Sequence, residues 1–190
     1  MDRARHWNQR YSQAPGEERE PASLLVENLV LLPLGGKALD LAMGTGRNAV
    51  YLATLGFHVT GIDISPVAVQ MARSRAHWAG VKIEGIVANL ERYRIPENTY
   101  DLIINFYYLQ RSLAPQILRA LRPGGVLCFE TFTQEQRRYG RPHTISYLLE
   151  PGELAEMFPG LETLHYFEGV VEEGPRKKAI ASLIARKPPG

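Results

Sequence analysis

The sequence has a single cysteine, Cys128, among its 190 residues. One thiol excludes an internal disulfide and leaves no cysteine-based zinc site, so we expect no bound metal. Cys128 lies in the apolar run VLCFETF, which favours a buried structural thiol over a reactive one.

An excess of charge of one sign is also missing. Lys and Arg number 22 against 20 Asp and Glu, a difference too small to imply nucleic-acid binding by itself. The longest apolar stretch, LLVENLVLLPL, is interrupted by Glu27 and Asn28 and is far too short to span a membrane. The first residues, MDRARHWNQRYS, lack the apolar region of a secretory signal. We therefore expect a cytoplasmic protein without a membrane partner, and its oligomeric state stays open.

The sequence also lacks internal repeats and low-complexity segments. Its length suits one domain with a sizeable core, so we predict a single domain over residues 1–190. Within it, residues 1–33 are predicted to form an N-terminal cap and helix.

What the chain does contain is an alternation of strand-like and helix-like segments. This alternation predicts an α/β protein with a Rossmann-like, doubly wound parallel sheet covered on both faces. After residue 132, two β-rich runs joined by EGPR predict an antiparallel hairpin that closes the sheet. The predicted strands are KALDLA, HVTGID, KIEGIVA, YDLIINF and VLCFETF; the predicted helices are PASLLVENLVLL, residues 47–55, residues 65–79 and APQILRAL.

Sheets of this kind bind ligands at the carboxyl ends of their strands, where the strand order reverses. Polar residues follow four predicted strands at that height: the segment 40–46, Asp63, Asn89 and Asn105. Gly44 and Gly46 fit a tight turn that lets the backbone approach a ligand at a helix start. The turn also matches the G-x-G-x-x-A pattern of dinucleotide-binding proteins.

Asp63 and Asn89 suit a nucleoside ligand. Asp63 comes 19 residues after Gly44, the separation expected of a carboxylate that accepts from two ribose hydroxyls. The amide of Asn89 both donates and accepts, which suits an adenine edge. The alternatives are a helix-capping or turn aspartate and a turn asparagine.

Asp40 discriminates between two nucleotide cofactors. A dinucleotide loop presents N–H groups to a pyrophosphate, which a nearby carboxylate would repel. A carboxylate favours a ligand with an ammonium or a sulfonium group. The sequence therefore favours S-adenosyl-L-methionine over NAD.

Several motifs in order resemble those of class I S-adenosylmethionine-dependent methyltransferases: ALDLAMGTGRN, GIDISPVAVQMAR, YDLIINF and LRPGGVL. Within that family, GTGRNAVYLATLGFHVTGID and LLEPGELAEMFPGLETLHYFEG are most similar to the tellurite-resistance methyltransferases and their small-molecule relatives. The segment HWNQRY resembles a cap that folds over the cofactor, with Arg10 in the lid.

The resemblance implies a sheet of about seven strands whose last strand is antiparallel, and S-adenosyl-L-methionine as cofactor. Alanine 42 stands where the family usually has glycine, which predicts a lower affinity, and Asn89 stands where aspartate is common. The implied cofactor-binding residues are Trp7, Tyr11, Asp40, Ala42, Gly44, Gly46, Asn48, Asp63, Ile64, Asn89, Leu90 and Asn105.

The methyl acceptor is predicted to be a small molecule, with a chalcogen oxyanion or a thiol as candidates. Its site is expected to include Tyr107, Tyr108 and the basic loop 133–147, where Arg141 and His143 are the main candidates. The alternatives are a solvated loop and tyrosines that only pack. Two other functions stay open: methylation of nucleic acid or protein, and a non-catalytic cofactor-binding module. NFYYL lacks the prolines of nucleic-acid amino-methylating enzymes, so no nucleic-acid partner is expected.

Overall fold

The computed structural model describes residues 3–13, 20–173 and 176–190. Seven strands and six helices follow one another along this part of the chain. The strands are β1 (Gly36–Leu41), β2 (Phe57–Asp63), β3 (Ile83–Val87), β4 (Tyr100–Phe106), β5 (Leu121–Phe132), β6 (Glu162–Glu173) and β7 (Arg176–Arg186). The helices are α1 (Arg3–Gln13), α2 (Ser23–Glu27), α3 (Arg47–Thr54), α4 (Pro66–Trp78), α5 (Ala114–Ala120) and α6 (Glu153–Glu156).

The strands form one sheet in the order β3-β2-β1-β4-β5-β7-β6. The pairs from β3 to β5 are parallel, whereas β7 runs antiparallel to both β5 and β6. The predicted doubly wound α/β sheet of seven strands, with the last strand antiparallel, is confirmed. The order reverses between β1 and β4, so the carboxyl ends of these two strands flank the expected ligand crevice.

Two separate apolar cores explain why the central strands are apolar throughout. On β4, Leu102 and Ile104 face the core that contains α2, α3 and α4, while Ile103 faces the core that contains α5 and α6. Successive side chains of a strand point to opposite faces, so both sets are buried. The parallel strands are therefore shielded from water on each side.

Helix α4 begins where the sequence predicted. Ser65 is its N-cap, and the Ser65 hydroxyl accepts a hydrogen bond from Ala68 N at 3.1 Å. Pro66 follows at the first helical position, where its missing N–H has no partner to lose. This start lies directly after β2 and therefore beside the crevice.

Two predicted elements have other bounds. The helix expected from Pro21 begins at Ser23 and ends at Glu27, and a 3-10 turn over Leu29–Leu31 follows. Asn28 interrupts it, because the Asn28 amide donates to the Leu24 carbonyl at 3.0 Å. The turn RPGG lies within β5, opposite an irregularity in the register between β4 and β5.

Cys128 is fully buried in β5, as expected of a structural thiol. Burial raises the pKa of this thiol well above its ordinary value. Over residues 3–13, 20–173 and 176–190, no helix has the length and apolar character that crossing a bilayer requires.

Candidate functional site

A cavity of about 270 Å³ lies at the carboxyl ends of β1, β2 and β4 and is covered by α1. This volume lies just below the roughly 300–1,000 Å³ of common ligand pockets, so the cavity approaches the size of a small-molecule site. The structure brings together ten of the residues predicted to bind the cofactor: Trp7, Tyr11, Asp40, Ala42, Gly44, Asn48, Asp63, Ile64, Asn89 and Leu90.

Asp40 lies at the floor of this cavity near the end of β1 and is 2% exposed. Its Oδ2 atom is buried and has no hydrogen-bond partner within the described part of the chain. Desolvation raises the pKa of this carboxyl to about 8, although the Arg47 guanidinium opposes the shift. Buried polar atoms nearly always have partners, so an unpartnered oxygen beside a cavity marks a place where a bound ligand or water supplies one.

The two glycines of the turn after β1 have different roles. A Cβ atom on Gly44 would lie 2.9 Å from the Tyr11 hydroxyl oxygen, so the cap closes against this bare backbone. A Cβ atom on Gly46 would lie 2.7 Å from the Cβ atom of Ala72 in α4. Gly46 does not line the cavity and instead allows α3 to start against α4. Both have positive φ angles, of 56° and 80°.

Asp63, the last residue of β2, is both a turn residue and a wall of the cavity. Its Oδ2 accepts from Gly44 N at 2.9 Å, and its Oδ1 accepts from Ser65 N at 2.8 Å. Burial raises the pKa of this carboxyl, while the bonds from Ser65 and Gly44 oppose the shift. The two backbone bonds fix the carboxylate in place beside the cavity.

Asn89 and Ala42 have local constraints, and the turn role of Asn89 is the alternative that the sequence left open. The Asn89 Oδ1 atom accepts from Glu91 N at 3.0 Å, so its carbonyl oxygen already closes a turn. Ala42 has a φ of 55°, a left-handed conformation that suits glycine and strains other residues. Asn48 lines the cavity and also accepts from Ala22 N at 2.9 Å.

Helix α1 covers the cavity through Trp7 and Tyr11, whose rings stack with centroids 5.8 Å apart. The Asn8 Oδ1 atom accepts a hydrogen bond from the Ser65 hydroxyl at 2.6 Å. Arg3 forms an ion pair with Glu91, which directly follows the cavity residues Asn89 and Leu90. The cap has no buried residue of its own, so these few polar contacts and the two aromatic rings hold it.

Tyr107 forms the far end of the cavity together with charged residues from three elements. The Tyr107 hydroxyl donates to Glu130 Oε1 at 2.7 Å. The Arg47 guanidinium and the Lys178 ammonium lie 5.9 and 5.3 Å from the centre of the Tyr107 ring. Phe132 packs against the same ring with centroids 4.8 Å apart. We name Tyr107, Glu130, Arg47 and Lys178 the tyrosine cluster.

The sequence predicted only Tyr107 of this cluster. Glu130 had a visible signal, because it is the one charged residue in the apolar run VLCFETF and lies at the carboxyl end of β5. Arg47 and Lys178 had none, since a helix start and a hairpin strand are ordinary places for solvated cations.

Three other predicted residues lie elsewhere. Asn105 is 1% exposed and outside the cavity lining, because its amide nitrogen donates to the Tyr108 carbonyl at 2.6 Å. Arg141 and His143 do not line the cavity either. Their loop is held to β7, since Gln136 accepts from Ala179 N at 2.9 Å and donates to the Arg141 carbonyl at 3.2 Å.

Comparison with known proteins relates this chain to a protein family. A family profile described as "Methyltransferase domain" matches residues 38–125, which run from β1 into β5. The "Probable S-adenosyl-L-methionine-dependent methyltransferase TehB" of Haemophilus influenzae is 28% identical over 80% of this chain and 57% of that protein. The "Ribosomal protein L11 methyltransferase" of Thermus thermophilus is 36% identical over 48% of this chain and 36% of that protein.

A solved structure supports the same link at the level of the fold. The crystal structure of TehB from Haemophilus influenzae superimposes with a TM-score of 0.76 at 23% identity, over 95% of this chain and 67% of that chain. The present chain spans 57% or less of the length of the two curated relatives. The region that the family profile matches, residues 38–125, includes the glycine turn, Asp40, Asp63 and Asn89.

Proposed function

We propose that this chain, which belongs to the class I S-adenosylmethionine-dependent methyltransferases, transfers a methyl group from S-adenosyl-L-methionine to a small molecule. The proposal extends to a single domain over residues 1–190 that acts in the cytoplasm. The acceptor candidates are a chalcogen oxyanion, as the likeness to the tellurite-resistance group suggests, and a thiol.

The observation that carries the proposal is the buried, unpartnered oxygen of Asp40. The sulfonium and ammonium groups of adenosylmethionine are cations, and either one offsets the cost of ionising a carboxyl in a desolvated place. The pyrophosphate of a dinucleotide would be repelled by the same carboxylate. Asp40 therefore favours adenosylmethionine over NAD.

The remaining walls fit the nucleoside part of this cofactor. A carboxylate offers about four lone-pair sites, so Asp63 can accept from ribose hydroxyls in addition to Gly44 N and Ser65 N. Ile64 and Leu90 supply apolar surface to an adenine ring, and Asn89 lies beside them. Each residue is a proposed contact that its place in the cavity wall supports.

Adenosylmethionine, when bound, supplies a methyl group on a sulfonium, which leaves as a neutral thioether without needing a proton. The protein's task is therefore to hold donor and acceptor in line at close distance. The cap residues Trp7 and Tyr11 exclude water from the cavity, and Asp40 orients the cationic end of the donor. Tyr107 and Tyr108 bound the space that is left for the acceptor.

A transfer assay with methyl-labelled adenosylmethionine tests this proposal. The purified chain is incubated with a panel of selenite, tellurite, thiols, phenols and amines. We expect label in at least one small acceptor and none in protein or RNA added at equal mass. Label that appears in protein or RNA but in no small molecule would contradict the small-molecule assignment.

A further inference from the structure

Tyr107 has a conformation that packing alone rarely requires. It follows β4 directly and has a φ of 59°, in the left-handed region that bulky residues seldom occupy. Its backbone N–H donates to the Glu130 carbonyl at 2.8 Å, while its side-chain hydroxyl donates to the carboxylate of the same residue at 2.7 Å. Strained residues at cavities are commonly held there for a function.

These two hydrogen bonds create a polar path that leads from the cavity into the protein. Tyr107 is half-buried and forms part of the cavity wall, whereas Glu130 lies behind it, outside the lining and 8% exposed. The Tyr107 hydroxyl therefore connects a group that binds beside it in the cavity to the buried Glu130 carboxylate. Neither residue is explained by cofactor binding, because the contacts proposed for the cofactor lie at Asp40, Asp63 and Asn89.

We propose that Tyr107 and Glu130 form a proton relay for the methyl acceptor, which is therefore a molecule that still carries its proton, such as a thiol, a phenol, an alcohol or an amine. This inference rests on the proposed methyl transfer and narrows its substrate class. Tyr107 touches the acceptor and is a catalytic residue, while Glu130 acts through Tyr107 and is a positioning residue.

The relay balances protons and charge. Tyr107 Oη takes the proton of the acceptor and at the same time gives its own proton to Glu130 Oε1. The bond between the acceptor and the methyl carbon forms as the bond between that carbon and sulfur breaks. A sulfonium and a carboxylate are both neutralised, and Glu130 then returns its proton to solvent before the next cycle.

The charges around Tyr107 favour a proton relay and do not favour a binding site for an anionic acceptor. The two cations, Arg47 and Lys178, are matched by two carboxylates, Glu130 and Glu27. Arg47 Nη1 also donates a hydrogen bond to the Glu20 carbonyl at 3.0 Å, so this nitrogen is already engaged with the protein backbone. An oxyanion would therefore meet no excess of positive charge at this end of the cavity.

The two cations have a different use in a relay. Their positions over the Tyr107 ring stabilise negative charge on the phenol oxygen while its proton is in transit. Burial raises the pKa of Glu130, which makes it a better proton acceptor, while the Tyr107 hydrogen bond and the two cations oppose the shift. The titratable or charged groups around this carboxyl are Tyr107, Lys178, Arg47, Glu27 and Cys128.

The test uses 4-nitrophenol, whose ionised form absorbs visible light and whose ionisation in water falls near neutral pH. The probe is added at pH 6 to the protein loaded with S-adenosylhomocysteine, and the ionised fraction is read from the absorbance. We expect an ionised fraction at least tenfold higher with the wild-type protein than with Tyr107→Phe or Glu130→Gln. The control is Tyr166→Phe, which removes a similar hydroxyl-to-carboxylate hydrogen bond, to Glu168, on the exposed strand β6.

Equal ionised fractions in the wild type and both variants, or a probe that does not bind, would overturn the relay. Circular dichroism and calorimetry with adenosylmethionine show whether each variant still folds and binds the cofactor. A wild-type protein that does not bind adenosylmethionine would contradict the proposed function. A wild-type protein that binds adenosylmethionine but does not ionise the probe would contradict only the relay. In the transfer assay, the relay also predicts that kcat of Tyr107→Phe falls at least tenfold for a phenol and little for a selenolate, which has no proton to lose.

Discussion

Asp40 shows at the scale of one residue how a binding site costs stability. The carboxyl has an ordinary pKa of about 3.9 in an unfolded chain, whereas burial raises it to about 8 in the folded protein. The folded state therefore binds this proton more tightly than the unfolded state does. The stability that this bound proton gives to the folded state is fully present below about pH 4 and is lost as the pH rises towards 8.

Asp40→Asn removes this titration while keeping the size of the side chain. We expect the free energy of unfolding of the wild type to fall by about 4 kcal/mol relative to the variant between pH 5 and pH 9. Urea denaturation at the two pH values measures the difference. Parallel pH dependences of the two proteins would show that Asp40 is not a buried, strained carboxyl.

Ala42 is a second residue whose strain is visible only in the structure. Its φ of 55° carries a Cβ penalty that glycine avoids, so Ala42→Gly should stabilise the protein by about 0.5–1 kcal/mol, net of the added freedom of the unfolded chain. We also expect the affinity for adenosylmethionine to be unchanged or a few-fold higher, because a methyl group leaves the cavity wall.

The matched control is Ala79→Gly, at a position with a φ of −79°. The same change there should lower the free energy of unfolding by about 0.5–1 kcal/mol, since only the entropic cost of glycine applies. Thermal or urea denaturation measures the change in the free energy of unfolding for each of the two variants. A destabilising Ala42→Gly would contradict the assigned strain.

At the scale of an element, α1 has no buried residue of its own and is joined to the start of α4 by a hydrogen bond. The Ser65 hydroxyl joins two elements, because it caps α4 by accepting from Ala68 N and holds α1 by donating to Asn8. Removal of the Asn8 side chain therefore loosens the cap without removing the N-cap of α4.

Asn8→Ala should accelerate dissociation of adenosylmethionine about two- to tenfold, in line with a loss of about 0.5–1.5 kcal/mol for one hydrogen bond. Stopped-flow fluorescence of Trp7, which lines the cavity, follows the release. Gln9→Ala on the exposed side of α1 is the control and should release the cofactor at the wild-type rate. Equal rates for both variants would show that α1 does not retain the cofactor.

The elements most accurately predicted from the sequence are those whose signals are local. The bounds of β4 match YDLIINF, and Ser65-Pro66 marks the start of α4 because a capping hydroxyl and a proline act within one turn. The helix from Pro21 was longer in the prediction than in the structure, since apolar spacing does not reveal that the Asn28 side chain ends the helix.

Residues that meet only through the fold were harder to predict. Asp40, Asp63 and Asn89 line one cavity, as predicted, because the carboxyl ends of parallel strands share one edge of a sheet. Lys178 arrives beside Tyr107 only because β7 inserts between β5 and β6, an order that local patterns do not encode. The loop 133–147 looked like an acceptor site because it is basic, yet Gln136 ties it to β7.

At the scale of the whole molecule, the fold gathers distant segments around one crevice. The cap comes from the N-terminal helix, the wall proposed for the cofactor from β1 to β3, and the tyrosine cluster from α3, β5, β7 and the end of β4. Asp40, near the end of β1, and Tyr107, directly after β4, both line this crevice. In the proposed reaction, Asp40 faces the cationic donor and Tyr107 faces the neutral, proton-carrying acceptor.

The most direct test of the central claim, that Asp40 selects a cationic donor, is calorimetric titration of the wild type and Asp40→Asn with adenosylmethionine, S-adenosylhomocysteine and NAD. Glu97→Gln, at a surface ion pair with Arg119, is the control. We expect the wild type to bind adenosylmethionine with a preference over the demethylated product that grows as the pH rises from 6 to 9, because Asp40 must ionise. The preference should be weak and independent of pH in Asp40→Asn, and NAD should not bind. Binding of NAD by the wild type, or the same preference in the wild type and Asp40→Asn at every pH, would contradict the account.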